Sequence, residues 1–524
     1  MAIKLSKEES LFRNELIFIM DHKGINIDNT FVNLFMLLKH NGERRRQRAR
    51  GGSGLVEISN LKNVFSKLEE EGIVSGFKEN PEAGELWLRS NLLNMTYRGN
   101  IDKEKISSLR PIHLESYRVR NSKQARDYNS ADQVYLMLSS NPLVREDLKN
   151  FLLEGWDQTT NQINSSNNLD VDSLGILQII KKVNPGFLDS NTNLNQIKPL
   201  LKKQSELYCD DVRRLLIYKN LIPRNVLIDY LKNITSLHLS IYFQKLVYAL
   251  PKMVEKGTID ISDNWNIVID ATDSYASRIS KFSVEDAKSL FNNFNDYIKA
   301  TYQINATFRR LKLDKNDSKN LESALKVLKE KPMDFEMYFE TVWDSNYNSL
   351  DEEDKLLVKD LVKYENTYFD RYIELILKAR GKYLYKFNTY LVDYISQKNS
   401  DNGIMAQGRS KKHPRKFVLG TRLLETLVQI LVLEVKNDHF ITKSLSIEEL
   451  IDQMKDRYGL IINGLKEERF KNPDINTNLA FKENVEAFKH KLREIGFYND
   501  LSDAYILQKI RSRYKLNTSE NEIS

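Results

Sequence analysis

Two aspartates that follow a short apolar run are the first candidates for catalysis in this chain. The stretch "WNIVID", residues 265–270, is rich in β-branched residues and predicts a strand that ends at Asp270, with Asp273 three positions later. Carboxylates at a strand end hold magnesium in some nucleases, where the metal activates water. Two aspartates among 72 acidic residues do not define such a site by themselves. A metal-dependent nuclease is therefore an alternative hypothesis, and no metal ligand is predicted.

The other reactive residue types are not arranged for chemistry. The seven histidines are scattered, with no pair at the spacing of metal ligands. Cys209 stands beside Asp210 and Asp211, whose negative charge raises the pKa of a thiol and makes it a poor nucleophile. The chain has no phosphate-binding loop, zinc-protease helix, serine-hydrolase elbow or kinase signature. We therefore expect no catalytic residues and no cofactor.

Two short runs concentrate positive charge in a chain whose net charge is only +7. Residues 42–54, "GERRRQRARGGSG", place five arginines in seven positions before a glycine-rich stretch, and residues 408–416, "GRSKKHPRK", hold five basic residues. Guanidinium groups bind phosphate oxygens in pairs, and glycines let a loop follow a nucleic-acid backbone. The runs therefore favour contact with DNA or RNA. An acidic protein surface or plain solvation are the alternatives.

The elements around the first run have the order of a winged helix-turn-helix. Apolar spacing predicts helices over residues 6–20, 29–41 and 57–71, followed by a hairpin over 73–90. Ser6 and Glu9 have the spacing of a capping box, and Gly72 ends the third helix. The phrase "LKNVFSKLEEEGIV…ELWLR" resembles the winged-helix superfamily, in which the third helix enters the major groove. That resemblance places the arginine run beside the DNA face.

The other end of the chain repeats this arrangement. An apolar helix begins near Thr421, and Ser446 with Glu449 forms a second capping box. Residues 481–497 predict a one-sided helix, and the strand-like residues 497–510 follow as a wing. "LREIGF…LSDAYILQKI" again resembles a winged helix. Its third helix is the more basic of the two, so we expect it to be the direct DNA reader.

The residues predicted to contact DNA are the basic side chains of the two runs and of the two third helices. They are Arg44, Arg45, Arg46, Arg48, Arg50, Lys62, Lys67, Arg409, Lys411, Lys412, Arg415, Lys416, Lys482, Lys489 and Arg493. Winged helices also serve as protein-binding modules in assemblies around ATPases. The third helices therefore contact either DNA or a protein partner.

The middle of the chain predicts a large helical region. Glycine (20) and proline (10) are scarce, which favours long helices, and the exception is a short β element near residues 258–272. Residues 349–398 predict one long helix or two helices broken near Gly381. Its many tyrosines alternate with lysines and arginines and could stack on bases, although helix packing is the favoured interpretation.

The predicted fold class is mainly α, with N-terminal and C-terminal winged helix-turn-helix domains joined by a large helical middle region. The predicted domains are residues 1–110, 111–400 and 408–524, with a polar linker before the last. No apolar run approaches the ~18 residues that span a bilayer, and the first residues lack the apolar segment of a signal peptide. We expect a cytoplasmic protein with no membrane partner.

Overall size, helical composition and the two terminal winged-helix patterns resemble accessory subunits of multi-gene prokaryotic antiphage defence systems that lack ATPase motifs. Such systems include those associated with DNA methylation or phosphorothioation. The resemblance implies a non-enzymatic subunit that binds duplex DNA and works with a separate ATPase or nuclease subunit. The same layout is similar to the kleisin subunits of SMC complexes, in which the terminal domains bind the ATPase; this is the second hypothesis. A plain transcription regulator is disfavoured by the long helical middle.

Overall fold

A computed structural model of the protein describes residues 5–47, 57–96, 104–164, 169–182, 187–188, 193–410, 413–436, 439–498, 509–510 and 512–516. The fold is mainly helical, as predicted. The helices are α1 (Ile27–Lys39), α2 (Ile58–Glu70), α3 (Pro81–Trp87), α4 (Ser130–Leu138), α5 (Pro142–Leu153), α6 (Val171–Lys182), α7 (Lys202–Leu216), α8 (Arg224–Lys256), α9 (Arg278–Asn292), α10 (Phe294–Leu311), α11 (Lys319–Glu330), α12 (Met333–Asn348), α13 (Glu352–Leu361), α14 (Tyr368–Ile395), α15 (Thr421–Leu431), α16 (Ile447–Tyr458) and α17 (Ile475–Glu494).

The strands are short and pair two by two. They are β1 (Arg46–Gln47), β2 (Leu93–Thr96), β3 (Lys105–Leu109), β4 (Trp156–Asp157), β5 (Gln162–Ile163), β6 (Phe187–Leu188), β7 (Ile267–Val268), β8 (Met405–Gln407), β9 (Arg415–Phe417), β10 (Leu433–Lys436), β11 (His439–Thr442) and β12 (Leu460–Ile461). The pairs are antiparallel except β7 with β12, which is parallel and joins the middle of the chain to its C-terminal part. The β element predicted near residues 258–272 is present as β7.

The 33-residue helix α8 lies at the centre of the molecule. Every side chain from residue 230 to residue 244 is buried, as expected of a helix segment with no solvent face, and α1, α7, α10, α11, α14 and α15 pack against the helix. Gly257 ends the helix in the left-handed conformation, with φ of 72°, which glycine adopts without strain. The other helices are thereby positioned around one core.

The N-terminal winged helix is not confirmed. Residues 6–20 are not a helix: Ser6 and Glu9 exchange the two hydrogen bonds of a capping box, but around a single turn. The hairpin predicted at residues 73–90 is also wrong, because residues 81–92 are helical. The predicted second and third helices are present as α1 and α2, and a different hairpin, β2–β3, follows at residues 93–109.

The C-terminal winged helix is not confirmed either. The predicted helices are present as α15, α16 and α17, and the capping box of Ser446 and Glu449 forms as predicted. A hairpin, β10–β11, lies between α15 and α16. Most of the predicted wing, residues 499–508, lies outside the described residues.

The long pattern of residues 349–398 forms two helices, but the break is not at Gly381. Helix α13 ends at Leu361 and α14 begins at Tyr368, where the Thr367 side chain accepts a hydrogen bond from the Asp370 amide. Gly381 lies within α14. The polar residues before 408, which predict a linker, end in β8, and β8 pairs with β9.

One hydrophobic core takes side chains from all three predicted domains, from Phe12 to Ile510. Because this core is shared, it marks no division near residues 110 and 408, and the domain boundaries there stay a prediction. No helix among the described residues is both long enough and apolar enough to cross a membrane.

Candidate nucleic-acid interface

Arg44, the first arginine of the N-terminal run, is bound inside the protein. Its Nη2 lies 2.6 Å from Asp127 Oδ2, and its Nε lies 2.9 Å from Asp132 Oδ1. Burial alone would lower the pKa of Arg44, but the two carboxylates hold that pKa well above its ordinary value. The guanidinium already has two anionic partners inside the protein, and contact of Arg44 with DNA stays a prediction.

The rest of the run is only partly described. Arg45 Nη2 lies 2.9 Å from Glu43 Oε2, and Arg46 lies in β1, which pairs with β6. Arg48 and Arg50 lie outside the described residues. On α2, Lys62 pairs with Glu85 at 2.9 Å, whereas Lys67 is exposed. Among the described basic residues of the first run and of α2, Lys67 is the most accessible to a phosphate group.

The second basic run follows β8 in the chain, and its last two residues lie in β9 and face the protein. Arg415 Nε and Nη2 donate to the two carboxylate oxygens of Asp393 on α14, at 2.7 and 2.8 Å. Lys416 Nζ lies 2.7 Å from Asp270 Oδ2, and both side chains are almost completely buried, at 1% and 0% exposure. Both cations are thus bound by carboxylates of the protein itself, and their contact with DNA stays a prediction. Arg409 is exposed, and Lys411 and Lys412 lie outside the described residues.

The same ion pairs bear on the nuclease hypothesis. Asp270 is bound by Lys416, and Asp273 Oδ2 lies 2.6 Å from Lys491 Nζ on α17. Each carboxylate is thus neutralised by a lysine, which is the arrangement of a structural ion pair. Among the described residues, no group of three potential metal ligands comes together. The geometry gives the nuclease hypothesis no support.

The predicted contacts on α17 lie along one side of the helix, since residues 482, 489 and 493 are separated by about whole turns. Lys482 and Arg493 are exposed, and Lys489 lies 2.8 Å from Glu486. Acidic side chains are therefore interspersed with the basic ones on this helix.

A further basic surface lies on the C-terminal half of α14. Lys378, Lys382 and Lys386 follow one another at steps of four residues and are exposed, and they form no ion pair with any described residue. Tyr383 and Tyr390 lie among them at 48% and 43% exposure. We call these five residues the Lys-Tyr face. Helix packing with the tyrosine hydroxyls at the rim is the favoured interpretation of these residues: Tyr372 is buried, and the partly exposed Tyr385 lies 5.7 Å from the Phe294 ring.

The tyrosines of this face are held in place by their neighbours. The Tyr383 ring lies 4.3 Å from that of Phe387, and the Arg380 guanidinium lies 4.8 Å from the Tyr383 ring. Lys386 Nζ lies 5.8 Å from the Tyr390 ring. Exposed rings beside unpaired cations can stack on bases while the cations bind phosphates.

The Lys-Tyr face and the second basic run belong to one packed unit. Asp393, near the end of α14, anchors Arg415 of the hairpin. Arg415 also lies 4.9 Å from the Phe291 ring, and Phe291 and Phe294 in turn connect it to Tyr385 of α14. The exposed lysines of α14 and the basic turn that contains Arg409 are therefore supported by the same elements.

Comparison with known proteins identifies the family. The family model of methylation-associated defense system protein MAD7 matches residues 7–514, and the chain belongs to this family. No curated protein matches the chain. The resemblance to antiphage defence subunits is thereby confirmed, and the protein is a component of a defence system.

Proposed function

We propose that this protein is a non-enzymatic, DNA-binding and scaffolding subunit of a multiprotein defence assembly, and that it engages duplex DNA. Family membership supports a place in a defence system. The observation that carries DNA binding is the Lys-Tyr face, whose three lysines have no carboxylate partner among the described residues. Cations that are not neutralised within the protein are available to replace the counterions of DNA phosphates.

The helical core would serve as the scaffold, and a separate ATPase or nuclease subunit would supply the chemistry. This division of labour is supported by the state of the candidate catalytic carboxylates, Asp270 and Asp273, which are bound by lysines. The family's association with methylation supports DNA as the common substrate of the assembly.

The test is fluorescence anisotropy of labelled duplex and single-stranded DNA over a series of salt concentrations. The variant Lys378→Gln/Lys382→Gln/Lys386→Gln removes three charges from the Lys-Tyr face. If each lysine binds a phosphate, the logarithm of the affinity falls with the logarithm of the salt concentration at a slope of about −0.9 per contact. The variant lacks up to three of these contacts, and its slope should be less steep by their contribution. Tighter binding of single-stranded DNA would change the proposed substrate from duplex to single strand.

The matched control neutralises three exposed lysines elsewhere, Lys312 at the end of α10 and Lys319 and Lys326 on α11. It carries the same change in net charge and should bind DNA nearly as the wild type does. A second variant, Arg409→Gln/Lys411→Gln/Lys412→Gln, tests the hairpin turn while leaving the bound Arg415 and Lys416 intact. If wild type and all variants bind weakly and alike, DNA binding is wrong and the surfaces serve protein contacts.

A further inference from the structure

Helices α12 and α13 with the residues that follow them, 333–364, combine exposed apolar side chains with a local excess of acidic residues. Ten large apolar side chains among the described residues are more than half exposed, and five of them belong to this stretch: Met333, Met337, Leu356, Leu357 and Tyr364. The stretch has nine acidic and three basic residues, a net charge of −6 in a chain whose net charge is +7. We call residues 333–364 the acidic helix pair.

On α12 the exposed side chains form one row along the helix. The helix buries its aromatic side, which consists of Phe335, Phe339 and Trp343. On the opposite side, at steps of four, three and four residues, lie Met333, Met337, Glu340 and Asp344. Met333 and Met337 are 83% and 62% exposed. Glu340 and Asp344 form no ion pair with any described residue, so their charges are available to a partner.

Helix α13 adds further exposed apolar and acidic side chains. It packs against α12 and α14 through a small hydrophobic cluster that is separate from the main core. On its open side, Leu356 and Leu357 are more than half exposed. Glu353 and Asp360 lie one turn to either side of Leu357, and both are exposed. Apolar and acidic side chains are therefore interspersed on both helices.

The charge of this surface decides which kind of partner it can bind. Exposed carboxylates repel the phosphates of DNA, so the acidic helix pair is distinct from the proposed DNA surface. A concentration of exposed apolar side chains is typical of sites that bind another protein. Methionine side chains are flexible and polarisable, which lets Met333 and Met337 adapt to a helix that packs across them.

We propose that the acidic helix pair docks a basic amphipathic helix of another protein in the defence assembly. The apolar side of that helix packs on Met333 and Met337, and its lysines or arginines pair with Glu340 and Asp344. The inference rests on the proposed scaffolding role, for which it supplies the surface and the chemistry of the partner.

Helix α14 connects this surface with the Lys-Tyr face. Near the start of α14, Phe369 and Tyr372 contact the Phe339 ring of α12, at centroid distances of 4.8 and 5.4 Å. The Lys-Tyr face lies on the second half of the same helix. One rigid element thus carries the proposed DNA surface at one end and supports the proposed protein surface at the other.

The probe is a fluorescent synthetic peptide of leucine and lysine in amphipathic helical spacing, and its binding to the full chain is measured by fluorescence anisotropy. We expect saturable binding, and none of a counterpart in which glutamate replaces lysine. The variant Met333→Ser/Met337→Ser should weaken binding by about tenfold or more. The variant Glu340→Gln/Asp344→Asn should weaken it by about two- to fivefold and reduce its salt dependence.

Matched controls remove equally exposed side chains elsewhere. Leu143→Ser/Ile475→Ser controls for the apolar variant, since these residues are 78% and 79% exposed, and Asp147→Asn/Glu285→Gln controls for the charge variant. Both controls should bind the peptide as the wild type does. Urea denaturation should show that all four variants keep the stability of the wild type, because every substituted side chain is exposed.

Absence of saturable peptide binding by the wild type would overturn the docking site, as would equal binding by wild type and Met333→Ser/Met337→Ser. Light scattering of the wild type should show a monomer. A dimer that this variant converts to a monomer would identify a second copy of the chain as the occupant and would also overturn the proposal.

The two binding assays separate this inference from the proposed function. Met333→Ser/Met337→Ser should bind DNA as the wild type does, and Lys378→Gln/Lys382→Gln/Lys386→Gln should bind the peptide as the wild type does. Failure of DNA binding alone counts against the proposed DNA role. Failure of peptide binding alone counts against the docking site.

Discussion

At the scale of single residues, the buried ion pairs decide which basic residues are free to bind a ligand. Lys416 and Asp270 are both almost fully buried, and removal of one partner would leave a charge without compensation in the core. We expect Lys416→Met to lower the free energy of unfolding by about 3–5 kcal/mol, measured by urea denaturation. The exposed Arg409 of the same hairpin is the control, and Arg409→Gln should change that free energy by less than about 0.5 kcal/mol. A Lys416→Met protein as stable as the wild type would mean that Lys416 does not hold the fold.

Buried histidines make stability depend on pH. Burial among aromatic rings lowers the pKa of His22 to about 3, whereas the unfolded chain titrates near ~6.5. Between these values the unfolded state binds the additional proton, so the free energy of unfolding falls as the pH falls below ~6.5. From pH 7 to pH 5 this histidine alone should cost about 2 kcal/mol.

The variant His22→Phe should remove that part of the pH dependence, even if it changes stability at pH 7. The measurement is urea denaturation at both pH values, with the exposed His490 replaced by glutamine as the control. An unchanged difference between the two pH values in His22→Phe would show that His22 titrates normally in the folded protein.

At the scale of elements, Gly381 shows that α14 is a continuous helix rather than a hinge. Apart from its chain neighbours and the backbone of its own helix, a Cβ atom at Gly381 would meet no atom within 4 Å, and the residue lies in the interior of the helix. Gly381→Ala should therefore raise the free energy of unfolding by about 0.5–1 kcal/mol, because alanine loses less backbone entropy in a helix. By contrast, Gly420→Ala should destabilise the protein, since its Cβ would clash with the Asp401 carbonyl. If Gly381→Ala were destabilising, the helix would have to bend at this position.

The elements also show what local sequence can predict. The capping-box spacing occurs at Ser6 and at Ser446, and the hydrogen bonds form at both, yet only the second opens a helix. At the first, Glu9 also accepts a hydrogen bond from Tyr372 OH on α14, a contact over 363 residues that no local pattern contains. The alternation in residues 85–90 predicts a strand, but Pro81 in the first turn and the spacing of Leu88 and Leu92 fit the helix that forms.

The candidate site was predictable only in its charge. The composition of the basic runs indicated where cations are concentrated, but not that Asp127, Asp132, Asp393 and Asp270 would bind Arg44, Arg415 and Lys416. These partners lie tens to hundreds of residues away, and the tertiary fold alone brings them together. The exposure of the Lys-Tyr face is likewise set by packing. Tyr372, in the first half of α14, is buried, whereas Tyr383 and Tyr390 in the second half are exposed.

At the scale of the whole molecule, the C-terminal part completes the core of the middle part. Strand β7 pairs with β12, and the Asp270 amide donates to the Phe417 carbonyl at 2.9 Å. Asn484 of α17 accepts a hydrogen bond from the Ala271 amide at 2.8 Å. Loss of residues 408–524 would expose apolar side chains of α8 and leave these buried polar groups without partners.

We therefore expect the full chain to unfold in a single transition in differential scanning calorimetry, and a fragment of residues 1–407 to show no cooperative transition and little near-ultraviolet circular dichroism. Addition of residues 408–524 as a separate chain should restore both signals, because the contacts between the parts are non-covalent. The three domains predicted from the sequence make the opposite prediction. If the fragment melts cooperatively at the temperature of the full chain, the boundary near residue 408 separates independent folding units, and the shared core does not couple them.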